Sequence, residues 1–127
     1  MGARVLVIDD SRSIRSMVRA ALEAGGHQVL ESPDGRAALA TLETSPVDLI
    51  LTDVNMPVMD GLALTRAVRQ LDRHRTTPVL ILTTEAGDDM KQRGRAAGAT
   101  GWLVKPFNPD QLRQVVEKVL RPRPALA

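Results

Sequence analysis

Short apolar runs alternate with amphipathic segments along this chain. The runs have the length of strands and lie at residues 5–8, 28–31, 49–52, 79–82 and 102–104. Most are continuously apolar and rich in Val, Leu and Ile, which is typical of strands buried on both faces. Between the first two runs, apolar residues from Ile14 to Leu22 recur at helical spacing. The pattern therefore predicts strands that alternate with helices.

Local signals indicate where the predicted helices begin and end. Ser11 is placed to cap the first helix, and the pair Gly25-Gly26 ends it. The last helix has a strong start, because Asn108 is followed by a proline and, three positions on, by a glutamine. The other helices are predicted from Asp34-Gly35 to before Pro46, from Gly61 to Leu71 and from Asp88 to Ala97.

The predicted helix at residues 88–97 is weak. Gly87, Gly94 and Gly98 punctuate it, and it has few large apolar residues beyond Met90. A glycine inside a helix costs about 0.5–1 kcal/mol relative to alanine. We expect this segment to be one of low local stability, from which switching elements are drawn.

Five strands alternating with helices form a parallel sheet through right-handed crossovers, with helices on both faces. The sequence therefore predicts one α/β domain of the doubly wound (βα)5 type over residues 1–120. Residues 121–127 contain two prolines and are expected to form a short flexible tail.

Composition narrows the class of protein. Hydrophobic residues make up 43% of the chain and charged residues 25%, as in ordinary globular domains. The apolar runs are far shorter than the ~20 residues of a membrane span, and we expect neither a signal peptide nor membrane binding. The absence of cysteine excludes disulfides and thiolate catalysis, and it favours a cytoplasmic protein.

The charge pattern argues against nucleic-acid binding. The formal net charge is +2, the arginines are scattered, and Trp102 and Phe107 are the only aromatic residues that could stack on bases. One basic cluster, residues 66–75, lies at a predicted helix C-terminus, where cations favour the helix dipole. His27 and His74 lack the spacing of metal ligands and are interpreted as surface residues.

Acidic, hydroxyl and ammonium groups collect where the predicted strands end. Asp9 and Asp10 follow the first strand, Asp53 follows the third, and Thr83 and Lys105 end the fourth and fifth. Taken singly, each has a structural explanation as a helix cap, a strand end or a solvated lysine. Ligands of such sheets, however, bind beyond the carboxyl ends of the strands. We therefore expect these five side chains to share one site.

Three crowded carboxylates repel one another unless a cation compensates them. Lys105 supplies one positive charge, and a hard divalent ion would supply two more. Mg²⁺ fits because it takes oxygen ligands and completes its shell with water and phosphate oxygens. A carboxylate can act as a nucleophile and form an aspartyl-phosphate while the cations neutralise the moving phosphoryl group. The site therefore favours Mg²⁺-dependent phosphoryl transfer.

Over about residues 4–120 the chain resembles the receiver domain of bacterial two-component response regulators. The motifs that carry the resemblance are Asp9-Asp10, Asp53, residues 56–61 (Met-Pro-Val-Met-Asp-Gly), Thr83-Thr84-Glu85 and Lys105-Pro106-Phe107. The resemblance implies a flavodoxin-like fold with parallel strand order 2-1-3-4-5. It also implies a cis bond before Pro106, where the sequence alone favours trans.

The resemblance further implies a role for each residue of the site. Asp53 would accept the phosphoryl group, and Lys105 and the Thr83 hydroxyl would contact its oxygens. The Mg²⁺ ligands would be Asp10, Asp53 and the main-chain carbonyl of Asn55, with Asp9 acting mainly through water.

Three further residues would serve switching and dephosphorylation. Asn55 and Glu85 would overhang the phosphoryl group and tune its hydrolysis. On phosphorylation Thr83 would move inward and an aromatic side chain would follow it. Trp102 stands at that aromatic position, where the family usually has Tyr or Phe, and its indole is larger and only a donor.

The resemblance implies a monomeric, single-domain response regulator that is a phosphoacceptor rather than an enzyme acting on other substrates. A histidine kinase would supply the phosphoryl group, a phosphatase could remove it, and phosphorylation would change the protein partner. In chemotaxis that partner would be the flagellar motor switch. The alternative is a phosphorelay intermediate or phosphate sink that passes the group to a histidine phosphotransfer protein.

An enzyme of another class, a phosphatase of the haloacid dehalogenase type, also uses an aspartyl nucleophile with Mg²⁺. Such enzymes place a second Asp two residues after the nucleophile as general acid. Asn55 stands at that position here, and the chain has no room for a cap domain.

Overall fold

The computed structural model describes residues 2–85 and 87–120. Within them, five strands alternate with five α-helices, as the apolar pattern predicts. The elements are β1 (Arg4–Ile8), α1 (Arg12–Ala24), β2 (Gln28–Ser32), α2 (Gly35–Thr44), β3 (Leu49–Asp53), α3 (Gly61–Arg69), β4 (Val79–Thr83), α4 (Asp88–Ala97), β5 (Gly101–Val104) and α5 (Pro109–Leu120), with one turn of 3-10 helix at Asp72–His74. The predicted tail at residues 121–127 lies outside the described part of the chain.

The strands form one parallel sheet in the order β2-β1-β3-β4-β5. This confirms the doubly wound, flavodoxin-like prediction. The strand order reverses between β1 and β3, so the carboxyl ends of these two strands flank the crevice in which such folds bind ligands.

Alternation along the strands divides the core between the two faces of the sheet. Val5 and Val7 of β1 pack with α1 and α5, whereas Leu6 and Ile8 pack with α2 and α3. A third cluster, which includes Ile81 of β4, lies beneath α4. Because both faces are covered, the central strands carry almost no exposed side chains.

Side-chain caps fix the helix starts that border the carboxyl edge of the sheet. Ser11 accepts a hydrogen bond from the backbone N–H of Ile14, and Asp60 accepts one from that of Ala63. At α5, Asn108 Oδ1 and Gln111 Oε1 accept from each other's backbone N–H groups, which is the predicted reciprocal cap.

Helix α4 is as sparsely anchored as its sequence suggests. It has no side-chain cap, and only Met90, Gly94 and Ala97 are buried. A Cβ at Gly94 would lie 3.4 Å from Ile81 Cδ1, which is an ordinary van der Waals contact. Packing therefore leaves room for alanine here, and the glycine mainly weakens the helix.

The prediction that His74 lies at the surface is wrong. Its side chain is 1% exposed, and its two ring nitrogens lie 3.0 Å from Thr77 Oγ1 and 3.1 Å from Leu42 O. His27 is only half-buried, and its Nδ1 accepts from the backbone N–H of Ala3. The sequence offered no sign of the contact with Leu42, because Leu42 is 32 residues from His74.

One arginine of the basic cluster at residues 66–75 has a structural role that the sequence did not predict. Arg69, the last residue of α3, turns inward and donates to the carbonyl oxygens of Gly98, His74 and Thr77. Burial lowers the pKa of this guanidinium from its ordinary value. α3 ends at Arg69, two residues before the predicted Leu71, and this arginine joins the α3–β4 and α4–β5 connections at the amino edge of the sheet.

None of the described helices has the length and apolar character that a bilayer crossing demands.

Candidate functional site

Four neighbouring strands deliver the predicted site residues to the carboxyl edge of the sheet. Asp53 is the last residue of β3 and Thr83 the last of β4, while Asp9 follows β1 and Lys105 follows β5. All four side chains are buried or half-buried. Asp10 is exposed at the mouth of the same crevice.

Asp9 is the most firmly held carboxylate of the site. It is 0% exposed, its Oδ1 accepts from the backbone N–H of Ser11 at 2.8 Å, and its Oδ2 accepts from Lys105 Nζ at 3.0 Å. Burial of a carboxylate is costly unless such partners satisfy its oxygens. Asp9 therefore serves as a fixed anchor for the lysine.

Lys105 joins the two buried carboxylates. Its Nζ lies 3.0 Å from Asp9 Oδ2 and 3.2 Å from Asp53 Oδ1, although Lys105 is 96 residues away from Asp9 in sequence. The Lys105–Pro106 peptide bond is cis, as the family resemblance implies. The strand ends therefore meet as the sequence predicts.

The charges at this edge are not balanced. Burial raises the pKa of Asp53, and repulsion from Asp9 raises it further, while Lys105 and a backbone hydrogen bond from Val54 offset only part of this. Burial alone would lower the pKa of Lys105, but its contacts with Asp9 and Asp53 raise it overall. The lysine thus keeps its charge, and the carboxylates retain uncompensated negative charge.

This excess charge is placed where a cation could relieve it. One carboxylate oxygen from each of Asp9, Asp10 and Asp53 lies within 4.8 Å of the others. The donors are hard carboxylate oxygens without sulfur or imidazole, a set that suits Mg²⁺ better than a softer metal. The residues present therefore fit a magnesium ion.

The loop after β3 brings its backbone close to the site. A Cβ at Gly61 would lie 2.1 Å from the carbonyl oxygen of Asp53, so only glycine fits there. The Gly61 N–H donates to the Val54 carbonyl oxygen at 2.9 Å. The glycine that ends the Met-Pro-Val-Met-Asp-Gly segment thus lets α3 start directly beside Asp53. Asn55 lies exposed in this loop.

Thr83 and Glu85 occupy the loop after β4. The Thr83 side chain is 2% exposed, and its Oγ1 accepts from the backbone N–H of Glu85 at 3.0 Å. Glu85 itself is exposed. The hydroxyl is thus held in a turn at the edge of the crevice.

Trp102 lies half-buried on β5 and packs against the cluster beneath α4. Lys91 Nζ lies 5.4 Å from the centroid of its ring, and Arg95 Cζ lies 5.7 Å from it. Both distances are within the range of cation–π attraction. Sequence reasoning identified the tryptophan but not these two cations, which belong to the sparsely anchored α4.

Sequence reasoning also missed an apolar cavity beside Lys105. Its volume is about 310 Å³, and it is lined by Ile14, Met17, Thr84, Lys105, Pro106 and Phe107. The helical spacing of Ile14 and Met17 marked them only as core residues, since nothing local shows that they face the loop after β5.

Comparison with known proteins identifies the family. A family model described as "Response regulator receiver domain" matches residues 5–117. The chain belongs to the response regulator receiver domain family. Membership fits the acidic crevice, the lysine after β5 and the strand order, each of which the structure shows independently.

Among similar proteins is the chemotaxis protein CheY of Pseudomonas aeruginosa, which is 37% identical over 117 residues that cover 91% of this chain and 94% of that protein. The structure of CheY4 of Vibrio cholerae superposes with a TM-score of 0.92 at 49% identity, covering 94% of this chain and 100% of that one. Other curated relatives, at 33–38% identity, are longer, and the chain spans 15–53% of their length.

One solved relative bears on the metal. The receiver domain of the sensor histidine kinase PA1611 of P. aeruginosa is 28% identical, with a TM-score of 0.86 and coverage of 94% of this chain and 98% of that one. That protein is described with a magnesium ion coordinated in its active site cleft.

Proposed function

We propose that the chain is a phosphorylation-dependent signalling protein in which Asp53 accepts a phosphoryl group from a histidine kinase. The observation that supports this most strongly is the placement of Asp53, which contacts Lys105 and shares an oxygen cluster with Asp9 and Asp10. An Oδ oxygen of Asp53 forms the new P–O bond. The bond from phosphorus to the donor's nitrogen or acyl oxygen breaks, and its electron pair leaves with the donor.

Each residue of the crevice has a part in that transfer. Lys105 Nζ, held against Asp53, neutralises negative charge on the phosphoryl oxygens, and the Thr83 hydroxyl donates to one of them. Mg²⁺ would be held by Asp10, Asp53 and the carbonyl of Asn55, with Asp9 acting mainly through water. When bound, the ion supplies positive charge to the transferring group. The raised pKa of Asp53 supports this role, because burial and Asp9 disfavour its charge and a bound cation would offset them.

The signal leaves the site through β4 and β5. Thr83 turns from the backbone N–H of Glu85 toward the phosphoryl group, and Trp102 on the neighbouring strand adjusts to the change. Lys91 and Arg95, which lie over the indole, move with it. The weak anchoring of α4 supports this path. The protein partner then binds the surface formed by α4, β5 and α5.

Asn55 and Glu85 set the lifetime of the phosphorylated state. Both are exposed at the mouth of the crevice, where attacking water or a phosphatase would approach Asp53. Neither is buried among packed side chains, so each can be changed with little effect on folding.

The likeness to the chemotaxis proteins CheY and CheY4 supports a role in chemotaxis, with the flagellar motor switch as the partner. A phosphorelay intermediate or phosphate sink would use the same site. Transfer of the group from phosphorylated Asp53 back to a histidine phosphotransfer protein distinguishes this alternative from a motor regulator.

The test is to incubate the chain with acetyl phosphate and Mg²⁺ and to measure its intact mass, with peptide mapping of the modified residue. We expect one added phosphoryl group on Asp53, lost in Asp53→Asn and in EDTA, and retained in the control Glu43→Gln, which changes an exposed carboxylate on α2. Absence of modification in the wild-type chain, or multiple-turnover hydrolysis of an added phosphomonoester, would contradict the proposal.

A further inference from the structure

Arg15, in the first turns of α1, contacts the main chain of the acidic crevice at Asp9. Its Nη1 donates to the main-chain carbonyl oxygen of Asp9, and its Nε donates to Glu31 Oε1 at 3.1 Å. The side chain is only 14% exposed. Glu31 lies on the edge strand β2, so the guanidinium bridges β2 to the turn that follows β1.

The Asp9 carbonyl belongs to the planar peptide group that joins Asp9 to Asp10. Holding this oxygen therefore fixes the plane from which the Asp10 backbone departs. The Asp9 side chain is held separately by Ser11 and Lys105. The exposed Asp10 carboxylate has no hydrogen-bond partner among residues 2–85 and 87–120, so its direction depends on that backbone.

Charge and geometry act in opposite directions at this position. A guanidinium near a cation site repels the incoming ion, so its removal should strengthen binding on electrostatic grounds alone. Loss of the hydrogen bond to Asp9 frees the peptide plane and should weaken binding. Part of the binding free energy is then spent on ordering the mobile ligand group. The sign of the effect therefore separates the two roles.

We propose that Arg15 is a positioning residue that orients Asp10 toward the divalent cation by fixing the Asp9–Asp10 peptide. This inference rests on the proposed function, in which that crevice holds Mg²⁺. Glu31 keeps the guanidinium in place and offsets its charge.

The chain offers a matched control in Arg19, one turn further along α1. Arg19 also pairs with Glu31, at 3.0 Å, but its Nη2 donates to the Val29 carbonyl oxygen rather than to Asp9. Arg19→Met removes the same positive charge from the same glutamate and leaves the Asp9–Asp10 peptide untouched.

The experiment is isothermal titration of the full chain with Mg²⁺ for the wild type, Arg15→Met and Arg19→Met. We expect the dissociation constant to rise about tenfold in Arg15→Met, within the range for residues that orient metal ligands. Arg19→Met should bind as tightly as the wild type or slightly more tightly. At saturating Mg²⁺, phosphorylation of Arg15→Met by acetyl phosphate should return to the wild-type rate, which a general loss of structure would not allow.

Equal or tighter Mg²⁺ binding by Arg15→Met overturns the role of Arg15, provided that the wild type binds the ion. A wild-type chain that binds no Mg²⁺ overturns the proposed function and this inference together. If Arg15→Met fails to fold, Arg15→Lys takes its place, because it keeps the charge but its ammonium lacks the forked geometry that bridges Asp9 and Glu31. Weaker binding by Arg15→Lys then supports the proposal, and unchanged binding contradicts it.

Discussion

Replacing Asp53 by asparagine should stabilise the protein in the absence of metal. The two side chains have nearly the same shape, so the change removes a charge and leaves the packing at the end of β3 intact. The asparagine carbonyl can still accept from Lys105. Residues placed for function are often costly for folding, and Asp53 is a clear candidate for such a cost.

The size of the effect follows from opposing electrostatic contributions. At an effective dielectric constant of about 20, the Asp9 and Asp53 charges, whose oxygens lie within 4.8 Å, repel by roughly 3–4 kcal/mol. The attraction between Asp53 and Lys105 at 3.2 Å stabilises the charged carboxylate by roughly 5 kcal/mol. Desolvation adds a penalty of several kcal/mol. The pKa of Asp53 is raised, which indicates that desolvation and repulsion from Asp9 together exceed the attraction to Lys105.

We therefore expect Asp53→Asn to raise the free energy of unfolding by about 1–2 kcal/mol in EDTA at neutral pH, or the Tm by roughly 3–8 °C.

The pKa shift of Asp53 also fixes how this stability difference changes with pH. Because the folded state raises the pKa of Asp53, it binds a proton more tightly than the unfolded state does. The stability that this proton provides is present below the ordinary aspartate value of about 4 and is lost as pH rises through the folded value. The advantage of Asp53→Asn should thus widen from pH 4 toward neutrality.

The assay is thermal unfolding followed by circular dichroism, with Glu43→Gln as the control for loss of an exposed carboxylate. The control should stay within about 0.5 kcal/mol of the wild type. Saturating Mg²⁺ should raise the Tm of the wild type more than that of Asp53→Asn, which lacks one ligand. A lower Tm for Asp53→Asn in EDTA would show instead that the Asp53 charge is a net stabilising group.

Two further substitutions test features of the fold. Gly61→Ala places a Cβ 2.1 Å from the Asp53 carbonyl oxygen and should cost about 3 kcal/mol in a urea titration. Gly87→Ala meets nothing within 4 Å and changes only the N-cap of α4, so it should cost less than about 1 kcal/mol. His74→Leu leaves Thr77 Oγ1 and the Leu42 carbonyl oxygen without their partner and should cost about 1–3 kcal/mol in the same urea titration. A wild-type midpoint for either Gly61→Ala or His74→Leu would contradict the packing described for that residue.

The parts of the structure that depend on local sequence could be predicted. The five strands, the Ser11 cap and the Asn108–Gln111 cap lie where apolar periodicity and capping chemistry indicate. The meeting of Asp9, Asp53 and Lys105 was also predictable, because parallel strands bring their carboxyl ends to one edge of the sheet. Local sequence motifs, together with the rule that parallel strands end at one edge, are sufficient to predict these features.

The features that were missed depend on partners distant in sequence. From its neighbours in sequence, Arg69 is only a cation at a helix end, yet it donates to the carbonyl oxygen of Gly98, 29 residues away. His74 and Arg15 likewise find their partners on other elements. A charged or polar residue in isolation does not reveal which carbonyl it will meet, since that depends on how the helices lie across the sheet.

The most direct measurement is a crystal structure of the wild-type chain grown with Mn²⁺ as an anomalous substitute for Mg²⁺. We expect one anomalous peak in the crevice, within coordination distance of carboxylate oxygens of Asp10 and Asp53 and beside, rather than displacing, Lys105. An ion bound elsewhere with the crevice empty, or Asp10 turned away from a bound ion, would contradict the idea that these strand ends form a cation-dependent phosphorylation site.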